Sequence, residues 1–289
     1  MLEGIVTKAI GGFYYVAVGD KIFEATLRGR LKRDEKIYVG DRVKLNVLGE
    51  SKAVLEELIP RRSLLFRPSV ANLDKVVIVF AISQPEPNPL HLDRMLVLAE
   101  YSELDIIICL NKCELNISDS KKELFEVYKK IGYPVIFTSA KEGIGLAELD
   151  QYLRASLTVF AGPSGVGKSS LLNALQPGLK LKTGELSVKI ARGKHTTRHV
   201  ELLMYGKNGF VVDTPGFGNV RLDEIPSELL PNLFVEFKQA GNCRFQDCRH
   251  VQEPGCAVKK AVEDGVIAKS RYENYLILLK EALEVKKTW

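Results

Sequence analysis

Residues 162–169, Gly-Pro-Ser-Gly-Val-Gly-Lys-Ser, match the spacing G-x-x-x-x-G-K-[ST] of a loop that wraps phosphate groups. The motif constrains the fold because it works only between a buried strand and the first turn of a helix. Both neighbours are present, since the apolar residues 157–161 predict a strand and residues 168–175 predict a helix. The segment therefore predicts an α/β domain with this loop at the carboxyl end of a strand.

The same loop predicts a nucleotide phosphate site. Its glycines let backbone N–H groups close round phosphate oxygens, and the N-terminus of the following helix favours negative charge. Lys168 would reach the β- and γ-phosphates as a candidate catalytic residue, and the Ser169 hydroxyl would ligate Mg²⁺. The alternative is a glycine-rich turn without a ligand. The predicted contact residues are Gly162, Pro163, Ser164, Gly165, Val166, Gly167, Lys168, Ser169 and Ser170.

From residue 74 to about residue 219, apolar strands alternate with helical segments. Buried strands that alternate with helices imply a mostly parallel sheet covered on both faces. Ligands of such sheets bind beyond the carboxyl ends of the strands. The predicted strands are 76–82, 105–110, 135–139, 157–161, 199–205 and 209–213, and the predicted helices are 90–101, 120–131, 145–153 and 168–175.

Two short motifs at predicted strand ends would select the base. Asn111-Lys112-Cys113-Glu114 resembles the N-K-x-D guanine element of GTPases, with a side chain one methylene longer than the usual Asp. The Glu114 carboxylate would accept hydrogen bonds from guanine N1–H and the 2-amino group, which adenine cannot match. Thr138-Ser139-Ala140-Lys141 resembles the second base loop of GTPases, where the Ala140 amide would meet guanine O6.

The order of the motifs is unusual. Asp213-Thr214-Pro215-Gly216 resembles the D-x-x-G element, whose Asp holds Mg²⁺ through water and whose Gly amide senses the γ-phosphate. His195-Thr196-Thr197-Arg198 precedes it, in the place of the switch threonine that ligates Mg²⁺. A usual GTPase has its base elements last, whereas here they come first. The sequence therefore predicts a circularly permuted GTPase domain, which is tolerable because domain termini usually lie close together.

The first 68 residues predict a separate small β-barrel. Short alternating runs such as 13–18, 21–25 and 39–47 are separated by glycine turns. This segment carries 13 Lys and Arg against 9 Asp and Glu, which is +4 of the chain's net charge of +5. Basic charge on a barrel favours an oligonucleotide-binding fold that faces RNA, and a solvated charged face is the alternative.

Three of the five cysteines share a short window with a histidine. The spacing Cys243-x4-Cys248-x-His250-x5-Cys256 supplies three thiolates and an imidazole, the ligand set of a closed structural zinc site. An odd, clustered cysteine count argues against a disulfide framework. A coincidental cluster of buried thiols is the alternative.

A barrel, a permuted GTPase and this cysteine motif together resemble the ribosome small-subunit-dependent GTPases of the RsgA family over the whole chain. The resemblance implies binding to the small ribosomal subunit and its rRNA, with hydrolysis of GTP to GDP and phosphate during late maturation. Nucleotide state would be coupled to rRNA binding and release. Mg²⁺ with GTP and one structural Zn²⁺ are the implied cofactors.

The resemblance also bears on the predicted switch. Phe217 follows D-T-P-G where many GTPases place a water-orienting Gln, and a phenyl ring cannot orient water, so intrinsic turnover should be slow. The resemblance transfers that role to His195, and an ordinary solvated loop histidine is the alternative. Thr197 is the expected Mg²⁺ ligand, with Thr196 as the second choice.

The fold expected is a multidomain α/β protein. Residues 1–68 would form the OB-like RNA-binding barrel, 69–222 the permuted GTPase domain, and 223–289 a helical zinc-binding domain. No apolar run approaches the ~20 residues of a membrane span, and the N-terminus lacks a secretory signal, so a cytoplasmic protein is expected. A monomer is expected as well. A static RNA-binding module and an ATP-dependent nucleic-acid enzyme are the competing functions.

Overall fold

Five N-terminal strands close into a barrel. The structure, a computed structural model, describes residues 1–29, 36–66, 69–115, 119–179, 200–213, 222 and 225–285. Alternate residues such as Val6, Val16 and Leu55 fill the barrel interior, which confirms the predicted barrel. Its order is β1-β2-β3-β5-β4, with only β3 and β5 parallel. The strands are β1 (Leu2–Ile10), β2 (Phe13–Val18), β3 (Lys21–Leu27), β4 (Arg42–Val47) and β5 (Lys52–Leu58).

A short hairpin follows the barrel. It consists of β6 (Leu64–Phe66) and β7 (Ser69–Ala71), and Val70 forms a parallel bridge with Val39 of the barrel segment. Arg61, just before the hairpin, donates hydrogen bonds of 2.6 and 2.8 Å to the buried Asp41 carboxylate. The expected domain boundary at residue 68 therefore falls between two paired strands.

A six-stranded sheet forms the centre of the chain, with the order β10-β9-β8-β11-β13-β12. Every pair is parallel except β12 with β13, so the predicted mostly parallel sheet is confirmed. β8 is a continuous apolar run because both of its faces are covered. The strands are β8 (Lys75–Ala81), β9 (Asp105–Asn111), β10 (Val135–Phe137), β11 (Leu157–Ala161), β12 (Leu202–Tyr205) and β13 (Gly209–Asp213).

Two helices cover each face of this sheet. α1 (Pro89–Tyr101) and α2 (Asp119–Ile131) pack on one face, and α3 (Leu146–Leu153) and α4 (Lys168–Leu175) pack on the other. This layering places the carboxyl ends of β8, β9, β10, β11 and β13 at one edge. Asn111 of the first base motif is the last residue of β9 and Asp213 is the last residue of β13, while the second base motif and the phosphate loop follow β10 and β11.

Some predicted boundaries were wrong by a few residues. The strand predicted over 135–139 ends at Phe137, because the Ser139 amide turns away to bond the Ile144 carbonyl at 3.0 Å. Helix α3 begins at Leu146, one residue later than predicted, since Gly145 has the left-handed φ of 67°. The strand predicted from His199 starts at Leu202, and His199 lies outside the described residues.

The C-terminal region forms a helical module against α1. Its helices are α5 (Leu230–Leu233), α6 (Ala257–Glu263) and α7 (Lys269–Val285), and residues Val235–Ala240 form a 3-10 helix. The buried Arg271 guanidinium lies 2.5 Å from the Asp93 carboxylate of α1 and 2.7 Å from that of Glu236. Removing one partner of a buried ion pair costs about 3–5 kcal/mol, so this cluster fixes the module on α1.

None of the described helices combines the length and the apolar character needed to cross a bilayer.

Candidate nucleotide and zinc sites

The phosphate loop connects β11 to α4, as its motif predicts. Gly162, Gly165 and Gly167 all have positive φ, at 139°, 80° and 96°. A Cβ on Gly162 would overlap the Val79 carbonyl oxygen, and one on Gly167 would overlap the Asn111 side-chain amide. Glycine is therefore required at both ends of the loop, which turns tightly over β8 and against the first base motif.

The Lys168 side chain folds back along this loop. Its Nζ donates hydrogen bonds of 2.8 Å to the carbonyl oxygens of Gly162 and Pro163. The ammonium group is thereby held beside the loop at the N-terminus of α4, where the helix dipole also favours an anion. That this charge lies next to a bound phosphate chain stays a prediction.

The first base motif is bonded directly to the phosphate loop. The buried Asn111 side chain donates from Nδ2 to the Val166 carbonyl at 2.8 Å. Lys112 Nζ donates to the Gly165 carbonyl at 2.8 Å and also to the Gln84 carbonyl. The two predicted loops, more than 50 residues apart in sequence, thus form one rigid cradle.

The second base motif orients the first. Thr138 Oγ1 and the Ala140 amide each donate to Asn111 Oδ1 at 3.3 Å, which directs the Asn111 Nδ2 towards the phosphate loop. Thr138 is fully buried and also contacts the Cys109 thiol at 3.2 Å. Burial raises the pKa of Cys109 to about 12, so this thiol stays neutral and serves packing.

The Glu114 carboxylate can accept further hydrogen bonds from a ligand. A hydrogen bond from Ser139 lowers the pKa of Glu114, and the charges of Lys141 and Lys112 lower it further, so the side chain is a carboxylate at neutral pH. Its Oε2 is buried without a hydrogen-bond partner among the described residues. An orphan buried carboxylate oxygen is costly unless a ligand donates to it. Guanine offers two such donors.

Asp213 ends β13 directly beside the strand that carries the phosphate loop, and it pairs in register with Phe160 of β11. The Ser169 hydroxyl at the start of α4 is a hard oxygen ligand of the kind Mg²⁺ prefers, and for Asp213 the structure describes the backbone position alone. The remaining predicted site residues, His195, Thr196, Thr197 and Gly216, lie outside the described residues, as does Phe217.

The four predicted zinc ligands converge in the C-terminal module. The ligand atoms of Cys243, Cys248, His250 and Cys256 all lie within 4.8 Å of one another. Cys243 Sγ is 3.9 Å from Cys256 Sγ and 3.6 Å from His250 Nδ1. A tetrahedron with Zn–S bonds of about 2.3 Å has sulfur–sulfur edges of about 3.8 Å, so the donor set fits zinc.

Surrounding groups hold these ligands in place. The Ala257 amide donates to Cys243 Sγ at 3.3 Å, and the Lys259 amide donates to Cys256 Sγ at 3.4 Å. His250 itself has a left-handed φ of 59°, and its carbonyl accepts from the Tyr272 hydroxyl at 2.6 Å. Such outer contacts orient metal ligands and favour the thiolate form.

The RsgA GTPase family model matches residues 58–223, and the model of the RsgA N-terminal domain matches residues 3–55. The chain belongs to the RsgA GTPase family. As a member of this GTPase family, the chain hydrolyses GTP.

Relatives and solved structures of the RsgA family align with almost the whole chain. The small ribosomal subunit biogenesis GTPase RsgA of Alkaliphilus metalliredigens is 47% identical, over 97% of this chain and 98% of the relative. YjeQ from Thermotoga maritima is 42% identical with a TM-score of 0.87, and 98% of each chain is covered. YloQ, described as a circularly permuted GTPase, is 36% identical with a TM-score of 0.83, over 98% of this chain and 96% of that one. The predicted permutation and the resemblance to RsgA are confirmed.

Some contacts of this RsgA-family site were absent from the sequence predictions. Gln84 accepts from Lys112 through its backbone, a contact for which the side-chain sequence carries no signal. Thr138 stands directly before Ser139-Ala140-Lys141, so its hydroxyl was within reach of sequence reasoning as an orienting group for Asn111.

Proposed function

We propose that this chain binds the small ribosomal subunit and hydrolyses GTP during late maturation of that subunit, coupling its nucleotide state to rRNA binding and release. One observation carries the proposal. The bonded cradle of base and phosphate loops lies in a chain that aligns end to end with proteins named small ribosomal subunit biogenesis GTPases.

Guanine selection is assigned to Glu114. Its orphan Oε2 and ionised state support acceptance of two hydrogen bonds from guanine, while adenine would leave the carboxylate unpaired. The Ala140 amide bonds Asn111 Oδ1 at 3.3 Å, a weak bond that leaves this amide near the base position. The hydrogen bond from Ser139 would hold the Glu114 carboxylate, whose side chain is one methylene longer than the usual Asp.

Phosphate binding and Mg²⁺ are assigned to the other half of the cradle. The backbone amides of residues 162–170 would surround the phosphates, and Lys168 would neutralise charge that develops on the transferred group. Ser169 and Thr197 would ligate Mg²⁺, and Asp213 would hold it through water. His195 would orient the attacking water in place of the usual Gln.

The zinc-binding and RNA-binding roles are assigned to the flanking segments. Zinc held by the Cys3His cluster would stabilise the C-terminal module and do no chemistry, since no coordination position is left open. RNA would bind the barrel, whose exposed basic residues Lys21, Arg28, Arg42 and Lys52 support attraction to phosphates.

The proposal also includes domain boundaries at residues 68 and 222, a monomeric state and a location in the cytoplasm.

The proposal predicts hydrolysis of GTP and not ATP, with turnover raised by purified small subunits. The measurement is phosphate release from each nucleotide with small subunits, with large subunits and with neither. Nucleotide binding without turnover in all conditions would favour a static RNA-binding module. Hydrolysis of ATP as fast as GTP would overturn the assigned role of Glu114.

We predict that the bound nucleotide, GTP or GDP, controls the affinity of the chain for the small subunit. Affinity for small subunits should be about 5- to 150-fold higher with a non-hydrolysable GTP analogue than with GDP, the usual range of coupling between two sites. Replacing Gly216, the predicted γ-phosphate sensor, by Ala should shrink this difference. Gly178→Ala is the matched control, because a Cβ there meets nothing within 4 Å. Equal affinity in both states would contradict the coupling, since an indifferent ligand shifts no population.

The structure limits how such a signal could move the molecule. Because Arg271 pairs with Asp93 inside the core, separating the C-terminal module from α1 would expose or orphan buried charges. The module and α1 should therefore move together. α1 follows β8 through residues 82–88, and this connection contacts the site at Gln84, whose carbonyl binds Lys112.

A further inference from the structure

Strand β1 of the barrel contacts the GTPase sheet at the start of β12. Lys8 of β1 forms an isolated antiparallel bridge with Glu201, the residue before edge strand β12. Their side chains also form an ion pair, with Lys8 Nζ 2.9 Å from the Glu201 carboxylate. β4 pairs with β1 only from Leu2 to Ile5, so the later part of β1 has an edge free to make this bridge.

A bulge in β1 prepares this contact. β1 pairs with β2 through Val6 with Val16 and Lys8 with Tyr15, which leaves Thr7 as the extra residue. The buried Thr7 hydroxyl donates to the Tyr15 carbonyl at 3.1 Å, which fixes the bulge. A bulge bends its strand and redirects the following side chain, here towards the sheet edge.

Glu201, the partner of Lys8, lies between the predicted switch and strand β12. Glu201 comes four residues after Thr197, the predicted switch threonine, and leads into β12. β12 pairs with β13, the strand that ends at Asp213. Val200 and Leu202 belong to the same apolar cluster as Ile5 and Ala17 of the barrel. The chain that follows the predicted switch, at residues 200–202, is thus anchored to the barrel by a backbone bridge, by an ion pair and by apolar packing.

We propose that Lys8 and Glu201 are a positioning pair through which contact between the barrel and the small subunit sets the switch and raises GTP turnover. The inference rests on the proposed function and adds the residues that transmit the signal. Neither residue touches the cradle, so turnover without subunits does not depend on the pair. Subunit-stimulated turnover does, because the bridge is the barrel's contact with the chain directly after the switch.

The size of the effect follows from the exposure of the pair. The side chains of Lys8 and Glu201 are 30% and 47% exposed. Because water screens such ion pairs, this pair adds little to the free energy of unfolding. A charge reversal replaces the attraction by repulsion at the same place. We expect K8E or E201K to lower turnover at saturating small subunits about three- to tenfold, with unchanged turnover in their absence.

The barrel offers a matched control for charge. Lys44 and Glu57 form an ion pair of the same length, 2.9 Å, with exposures of 34% and 53%, but both belong to the barrel. K44E removes as much positive charge from the barrel as K8E. Weaker attraction to RNA therefore raises the subunit concentration needed for half-maximal stimulation in both variants. Only K8E should lower the turnover reached at saturation.

The experiment measures GTP turnover against small-subunit concentration for the unsubstituted chain, K8E, E201K, the K8E/E201K double variant and K44E. Restoration of saturated turnover in the double variant supports the pair as the transmitting contact. Equal saturated turnover in K8E and K44E, or failure of the double variant to recover, would overturn the inference while the proposed function stands. Absence of stimulation in the unsubstituted chain would instead overturn the proposed function.

Discussion

Replacing Lys168 by Ala is expected to lower GTP turnover by at least about 10³-fold, with and without small subunits. In phosphoryl transfer the protein supplies mainly position and fixed charge, and loss of a single transition-state contact already costs about 10²- to 10³-fold. Lys168 would supply a full positive charge from the first turn of α4, at the loop that carries the phosphates. The measurement is single-turnover phosphate release at saturating GTP.

Two controls separate chemistry from folding for this variant. Lys168 also bonds the Gly162 and Pro163 carbonyls, so a melting curve must show that the loop's loss of these bonds leaves the domain folded. Lys130→Ala removes an exposed lysine from the last turn of α2 and should leave turnover unchanged. Unchanged turnover in Lys168→Ala would remove the phosphate loop from the mechanism.

The features that sequence predicted well are those made by neighbouring residues. Strand, glycine turn and helix follow one another without a break in residues 157–175, so the loop's geometry is encoded locally. The zinc ligands likewise fall within 14 residues, from Cys243 to Cys256. Their chemistry alone indicates a tetrahedral site, whatever the surrounding fold.

The features that sequence missed depend on contacts between distant residues. Arg271 and Asp93 are 178 positions apart, and Lys8 and Glu201 are 193 apart. Each of these four residues appears in the sequence as an ordinary surface charge. The parallel pairing of β3 with β5, which closes the barrel, has no local signature either. Such pairs become visible only when packing decides which charges are brought together.

Loss of the zinc site is expected to unfold the C-terminal module selectively. Structural zinc contributes about 10–16 kcal/mol of apparent binding free energy at pH 7, which in small modules is folding free energy. Cys248 and Cys256 lie in one apolar cluster with Phe237 and Tyr275, so zinc held by these cysteines would tie this loop to the module's core. Without zinc, the described loop would keep only noncovalent contacts, such as the hydrogen bond from the Tyr272 hydroxyl to the His250 carbonyl.

The test is Cys248→Ser, compared with Cys113→Ser as a cysteine variant outside the cluster. Cys248→Ser should lose the single zinc ion and expose the module to protease, whereas Cys113→Ser should keep one zinc per chain. Affinity of Cys248→Ser for GTP should stay within about twofold, because the cluster and the nucleotide cradle share no ligand residue. If the free energy of GTP binding falls by as much as the free energy of unfolding of the module, unfolding spreads through Asp93 into α1. Protein purified without chelator and found to hold no zinc would count decisively against the site.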